Sequence, residues 1–243
     1  MPRQKTLRLI LGDQLNVNHS WFKKPDKSVT HVMMEIRQET DYVAHHIQKV
    51  AAFFAAMRAF SGCLRKLGHR VIYLKLDDPK NRQTIAGNIT ELLNQKKITH
   101  VEYLLPDEHR LDLQLRDLAK TLPVPIQATD TQHFLTEDRG LKDFFAGKKR
   151  YLMESFYRWM RKRYDILMDK DKPFGGQWNY DQKNRQAYDQ KVPIPQPLLF
   201  ENDASDIVRT IRRKKVATIG EIQPAKLIWP TSRDQSLALL KNF

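Results

Sequence analysis

The stretch "LRLILG" (Leu7–Gly12) is a short apolar run closed by a glycine, and its recurrence along the chain decides the fold. A run this short and this apolar is the pattern of a strand covered on both faces. It returns as "THVMMEI" (Thr30–Ile36), "RVIYLKL" (Arg70–Leu76), "THVEYLL" (Thr99–Leu105) and "VPIQAT" (Val124–Thr129). Helical spacing separates the later runs. Val43, Ile47, Val50, Phe54, Met57 and Leu64 predict a helix over 41–67, which Gly68 stops. Further helices are predicted over 82–95 and 111–121. Strands alternating with helices predict an α/β, Rossmann-like architecture: a five-stranded parallel sheet with helices on both faces. The first connection is long enough for a crossover but poor in helix signal.

Composition narrows the function classes. Cys63 is the only cysteine, so the chain holds no internal disulfide and no Cys-rich metal or iron–sulfur site. Its place in an apolar helical pattern predicts a buried, inert thiol. There is no signal-peptide pattern and no run of membrane-spanning length, so a soluble, cytoplasmic protein is expected, with no membrane partner. Lys and Arg total 42 against 28 Asp and Glu, a net charge of +14. The excess is +6 through Thr136 (20 basic, 14 acidic) and +8 beyond it (22 basic, 14 acidic). Such a field favours polyanions, nucleic acid being the commonest inside cells.

In a parallel sheet, ligands bind where the strands end. The first strand is followed by Gly12, Asp13 and Gln14. The second is followed by Glu35, Arg37 and Glu39, the third by Asp77 and Asp78. Asp107, Glu108, His109 and Arg110 follow the fourth, and Asp130 and Thr131 the fifth. The edge is acidic although the protein is basic. "GDQL" is neither a GxGxxG nor a Walker sequence, so it does not predict a phosphate cradle. Carboxylates there suit a ligand rich in O–H and N–H donors. Asp77, Asp78 and Asp130 read as caps and turns; Asp13, Glu39 and Tyr42 read as ligand contacts.

"MEIRQETDYVAHHIQKV" (Met34–Val50) concentrates this chemistry. His45 and His46 are adjacent and diverge on a helix, with no HExxH spacing, so a metal site is not expected. There is no GxSxG nucleophile pattern, and no catalytic residue is assigned. A ligand cradle from Glu39 and Tyr42 and an exposed helix entry both remain open from the residues alone.

Beyond Thr136 the pattern changes. "GKKRYLMESFYRWMRKR" (Gly147–Arg163) holds seven basic residues and one glutamate, interleaved with aromatics. A basic amphipathic helix is predicted from near Leu152 to Met168. Its candidate nucleic-acid or interface residues are Lys148, Lys149, Arg150, Arg158, Arg161 and Arg163. Trp159 and Trp178 read as packing anchors. "VPIPQPLLF" (Val192–Phe200) reads as an extended linker. Ser232 and Gln235 form a candidate capping box. The chain is thus divided into an α/β domain (1–136), a basic helix with a Pro/Gly-rich linker (137–200), and the start of a further helical domain (201–243).

Four motifs carry a resemblance: "LRLILGDQL" (Leu7–Leu15), "EIRQETDYVAHHIQKVAAFFAAMRAF" (Glu35–Phe60), "LMESFYRWMRK" (Leu152–Lys162) and "PFGGQWNYDQKNRQ" (Pro173–Gln186). In this order they resemble the N-terminal part of the deoxyribodipyrimidine photolyase-related proteins, the bacterial cryptochrome/photolyase branch that carries an iron–sulfur cluster. The resemblance implies an α/β antenna domain holding 6,7-dimethyl-8-ribityllumazine. A large helical domain follows, binding FAD and a 4Fe-4S cluster and acting on photoproducts in DNA or signalling as a cryptochrome. Family antenna contacts match Asp13, Gln14, Glu39 and Tyr42, with Glu35, Glu108, His109 and Arg110 as neighbouring candidates. The expected C-terminal flavin domain, with its FAD and cluster sites, is absent. The chain alone is therefore expected not to repair DNA, and is read as a truncated form. A stand-alone nucleic-acid-binding module is the competing reading.

Overall fold

The computed structural model describes residues 4–136, 140–181, 185, 187–188, 191 and 193–242. Glu137, where the linker region was expected to begin, and residues 182–184 and 186 of the last motif lie outside the described residues. Two compact units emerge, 1–133 with 198–243, and 134–197.

The first unit is built on five parallel strands: β1 (Thr6–Leu9), β2 (Val29–Met34), β4 (Val71–Leu74), β5 (His100–Leu104) and β6 (Ile126–Thr129). Their order is β4-β2-β1-β5-β6, so the chain winds outward from β1 on one side and then crosses to the other. The register follows the apolar runs, with Leu9 beside Val32 on one side and Tyr103 on the other. The expected α/β sheet is present. The β1–β2 connection carries only the short 3-10 turn Ser20–Phe22.

Each face of the sheet has its own core. On one, α2 (Ile47–Lys66) packs Val50, Phe54, Met57 and Leu64 over Ile10 and Met33. α7 (Ser205–Arg213) adds Ile207, Val208 and Ile211 to the same cluster. On the other, α3 (Ile85–Lys96) and α4 (His109–Thr121) bury Ile85, Ile89, Leu111 and Leu115 against Leu7, Leu9 and Val32. Residues 201–243, expected to open a further domain, belong to this unit.

Two local expectations are corrected. The helix predicted over 41–67 begins only at Ile47. Arg37–Thr40 form a separate short helix, α1. His45–His46, β3, pair with Thr218–Ile219, β10. His46 then caps α2, its Nδ1 accepting from the Gln48 amide at 3.2 Å. Cys63 is exposed rather than buried. It lies on the outer side of α2, because the inner side is filled by larger apolar groups. Gly68, at φ +86°, follows α2 as expected.

The second unit contains α5 (Gly140–Phe145), α6 (Met153–Tyr164) and a small hairpin of β7 (Met168–Asp169) and β8 (Lys172–Pro173). α6 therefore stops short of Met168. Asp165, in the left-handed region at φ 53°, terminates it. In the first unit a second small ladder joins β9 (Asn202–Asp203) to β11 (Lys226–Leu227). α8 (Arg233–Asn242) opens with the expected Ser232 contact, whose Oγ accepts from the Gln235 amide at 3.3 Å. The Gln235 side-chain Oε1 accepts from the Thr231 amide at 2.9 Å. Among the described residues no helix is long and apolar enough to cross a membrane.

Candidate ligand site

A cavity with about 240 Å³ of space opens where β1 and β2 end. Its floor is apolar: Leu9 and Leu11 from β1 and its extension, Met34 and Ile36 from the end of β2 and the segment after it, and Phe53, Phe54 and Met57 from α2. Its rim is polar: Asp13, Glu39, Thr40, Tyr42, His45, Lys49 and Glu108. Gly12 lets the β1 loop approach α2 closely. A Cβ there would stand 3.1 Å from both Met57 Sδ and Phe53 Cδ1. The two rims come from loops far apart in sequence, which the parallel sheet brings to one end.

Of the eight residues expected to contact a ligand, four line this cavity: Asp13, Glu39, Tyr42 and Glu108. Burial pushes the Asp13 carboxyl above the usual carboxylate range, and the neighbouring Asp107 and Glu108 charges add to this. Glu39 is held by Arg110, at 2.7 and 3.2 Å from Nη2 and Nη1. The same guanidinium holds Glu108, at 2.6 Å from Nε and 3.0 Å from Nη2. It also lies over the Tyr42 ring, 4.2 Å from its centroid. These hydrogen bonds hold Arg110 charged more firmly than usual, against the cost of its partial burial.

The other four do not line the cavity. Gln14 is buried and staples the β1 loop to the end of β5. Its Oε1 accepts from the Leu11 amide at 3.0 Å, and its Nε2 donates to the carbonyls of Leu104 and Leu105 at 3.1 and 3.2 Å. Glu35 is fully buried in a network of its own. It accepts from Arg58 Nε and Nη2 at 2.7 and 3.0 Å, from the Tyr73 hydroxyl at 2.7 Å and from the Leu76 amide at 3.0 Å. Burial and the Glu35 charge hold the Tyr73 hydroxyl protonated well above the usual phenol range. His109 is exposed at the start of α4. Arg110 stands outside the lining and acts on three residues within it.

His45 and Lys49 also line the cavity, and their Nδ1 and Nζ atoms lie 3.4 Å apart. Burial and the lysine charge lower the affinity of His45 for a proton. Neither residue was among the expected ligand contacts; their place at the cavity depends on where α2 starts. Asp78 and Asp130 cap turns, accepting from the amides of Lys80 and Gln132 at 2.9 and 2.6 Å. Asp77 pairs with Arg213. Among the described residues no group of His, Cys, Asp or Glu is arranged to hold a metal ion.

A family model described as deoxyribodipyrimidine photo-lyase-related protein matches residues 8–227. The chain belongs to that family. It is 31% identical over 220 residues to the (6-4) photolyase of Agrobacterium fabrum (strain C58 / ATCC 33970), an alignment covering 89% of this chain and 43% of that protein. The photolyase-related chain thus spans less than half of that relative. It is also 28% identical over 158 residues to the uncharacterized protein R852 of Acanthamoeba polyphaga mimivirus, covering 63% of this chain and 78% of R852.

The basic candidates of the photolyase-related chain lie in the second unit and are not equivalent. Arg161 is buried, with Nε donating to the Ile166 carbonyl at 3.1 Å, Nη1 to that of Trp178 at 3.5 Å and Nη2 to that of Leu167. It braces the turn after α6. Arg158 pairs with Glu154 at 2.9 Å and lies 5.4 Å from the Trp178 ring centroid. Lys148 sits 3.1 Å over the Phe144 ring, and Arg163 sits 5.0 Å from the Trp159 ring. Lys149 and Arg150 are exposed.

Proposed function

We propose that this chain is the light-harvesting portion of a photolyase- or cryptochrome-type protein, of light-dependent DNA repair or blue-light signalling, and that its cavity takes 6,7-dimethyl-8-ribityllumazine. One observation carries this reading: an apolar slot at the strand ends with a rim of carboxylates and a phenol in place of a phosphate cradle. The ring system suits the slot between Phe53, Phe54 and Met57. The ribityl hydroxyls suit Asp13, Glu39 and Glu108, because ionised carboxylates accept hydrogen bonds and donate none. A phosphorylated ligand would instead face three carboxylates, with Arg110 already engaged by two of them.

When bound, such a chromophore would supply light absorption and energy transfer. The residues of this chain bind it, orient it and exclude water around the ring. FAD and the 4Fe-4S cluster would sit in a separate C-terminal flavin domain, the partner this portion would serve. Cys63 alone cannot ligate a cluster. DNA as a partner and a cytoplasmic location belong to the same proposal.

The test is the absorption spectrum of the purified chain, with mass spectrometry of any released small molecule and titration with added 6,7-dimethyl-8-ribityllumazine. Saturable uptake that weakens about tenfold or more in Glu39→Gln supports the reading, since hydrogen bonds to a charged group carry about that much. Failure to take up the lumazine would sink it.

The exposed Lys149 and Arg150 keep the nucleic-acid module as a second reading. It requires DNA affinity that falls steeply with salt. Affinity insensitive to salt would count against it.

A further inference from the structure

The rim carries a guanidinium that the ligand reading does not use. Arg110 does not line the cavity, yet it touches Glu39, Glu108 and Tyr42, which do. We propose that Arg110 is the positioning residue of the site: it presets the two rim carboxylates as an acceptor array for a neutral polyol chain. The inference rests on the ligand reading above.

A guanidinium has five N–H donors in a rigid plane. The contacts to Glu39 and Glu108 form two forks, each engaging both oxygens of one carboxylate. The Tyr42 ring covers one face of the guanidinium. Glu39 precedes Arg110 by 71 residues, so the clamp ties the segment after β2 to the segment after β5. Glu39 Oε1 also accepts from Gln38 Nε2 at 3.0 Å; Glu39 Oε2 and both Glu108 oxygens keep a second lone pair for a ligand hydroxyl.

Arg110 also halves the negative charge of the pair. Two carboxylates and one guanidinium leave a single negative charge where two would otherwise meet. Without Arg110 the carboxylates would repel each other and turn towards solvent or towards any cation. With it, they stay fixed, partly desolvated and directional. Lysine could supply the charge but not two forks at once, because an ammonium is a point charge.

The experiment uses the 243-residue chain and two neutral probes, 6,7-dimethyl-8-ribityllumazine and the ribityl-free 6,7,8-trimethyllumazine, titrated by fluorescence. Wild type is expected to prefer the ribityl compound. Arg110→Gln should lose about tenfold or more of its affinity for that compound and leave the trimethyl affinity unchanged. Arg110→Lys should fail to restore the preference. Glu108→Gln, which keeps the Glu39 fork, should fall between wild type and Arg110→Gln. Melting curves confirm that each variant is folded. An equal loss for both probes in every variant would mean that Arg110 only supports the fold, and no loss would mean that it does not act on the site; either overturns the inference while the ligand reading stands. Full restoration by lysine would overturn the positioning role in favour of charge alone. Wild type that takes up neither probe would overturn the ligand reading itself, and the inference with it.

Discussion

Replacing Arg58 by methionine should destabilise the first unit severely without touching the ligand cavity. Glu35 is fully buried, and Arg58 provides two of its four hydrogen bonds. Removing one partner of a buried ion pair leaves an uncompensated charge and costs about 3–5 kcal/mol. Counting the lost bonds gives a consistent figure: two hydrogen bonds to a charged group are worth about 3–6 kcal/mol together. The third contact of Arg58, to Asp206 at the start of α7, adds little because that carboxylate is 65% exposed. At about 2–4 °C per kcal/mol for a chain of this size, the melting temperature should fall by roughly 6–20 °C. Urea unfolding followed by circular dichroism measures the loss. Combining Arg58→Met with Glu35→Gln should recover roughly half or more of it, because the amide removes the buried charge, keeps one acceptor oxygen for the Leu76 amide and can donate its Nε2–H to the Tyr73 hydroxyl oxygen. A single-variant loss under about 1 kcal/mol would refute the reasoning, as would a double variant no better than Arg58→Met.

Four other perturbations test separate groups. His31 is buried beside His69, Arg8, Trp21 and Phe22, and burial first, then His69 and Arg8, lowers its pKa to about 3. The folded state therefore binds this proton less readily than the unfolded state, and stability falls as pH drops below 6.5; the loss from this residue should reach about 2 kcal/mol at pH 5, and His31→Leu should flatten that slope in urea titrations. Asp13, whose pKa is raised, gives the opposite sign: its ionisation costs stability as pH rises through the folded value, so Asp13→Asn should raise the melting temperature at pH 7, not below pH 3.8, and weaken lumazine binding. Arg161→Ala should destabilise the second unit by about 1–3 kcal/mol by leaving backbone carbonyls unpaired, whereas Lys149→Ala should leave stability unchanged and reduce only salt-dependent DNA affinity.

The sheet was legible because its central strands are covered on both faces, which keeps them mostly apolar and without strict alternation. The start of α2 was not. Val43 continues the helical spacing, but His45–His46 are drawn into a pairing with residues 218–219, which local sequence cannot announce. The site was legible as a place, the acidic ends of the strands, but not residue by residue. Glu35 and Glu39 are the same residue type four positions apart in one loop region. Their environments separate them: Glu35 meets Arg58, Tyr73 and Leu76 in the interior, while Glu39 meets Arg110 at the rim. Arg161 was misread for a related reason. A basic residue in a basic helix looks like its neighbours until the turn after α6 folds over it.

The local pairing also explains how a chain of charge +14 keeps an acidic cavity. The long-range field is screened within about 10 Å at moderate salt, so the chemistry of the rim is decided by contacts rather than by net charge. Glu39 and Glu108 share a guanidinium, and Glu35 has one of its own in the interior. Asp13 differs: it faces Asp107 and Glu108, is partly desolvated, and holds its proton more tightly than an ordinary aspartate. A donor-bearing ligand would add further hydrogen bonds to the ionised form, beyond the one from the residue's own backbone amide. Binding should therefore lower the pKa of Asp13, and by linkage affinity should rise with pH across the range in which the empty site titrates. That slope should vanish in Asp13→Asn and persist in Glu39→Gln. If it persists in Asp13→Asn, the titrating group lies elsewhere and the ribityl chain does not reach Asp13.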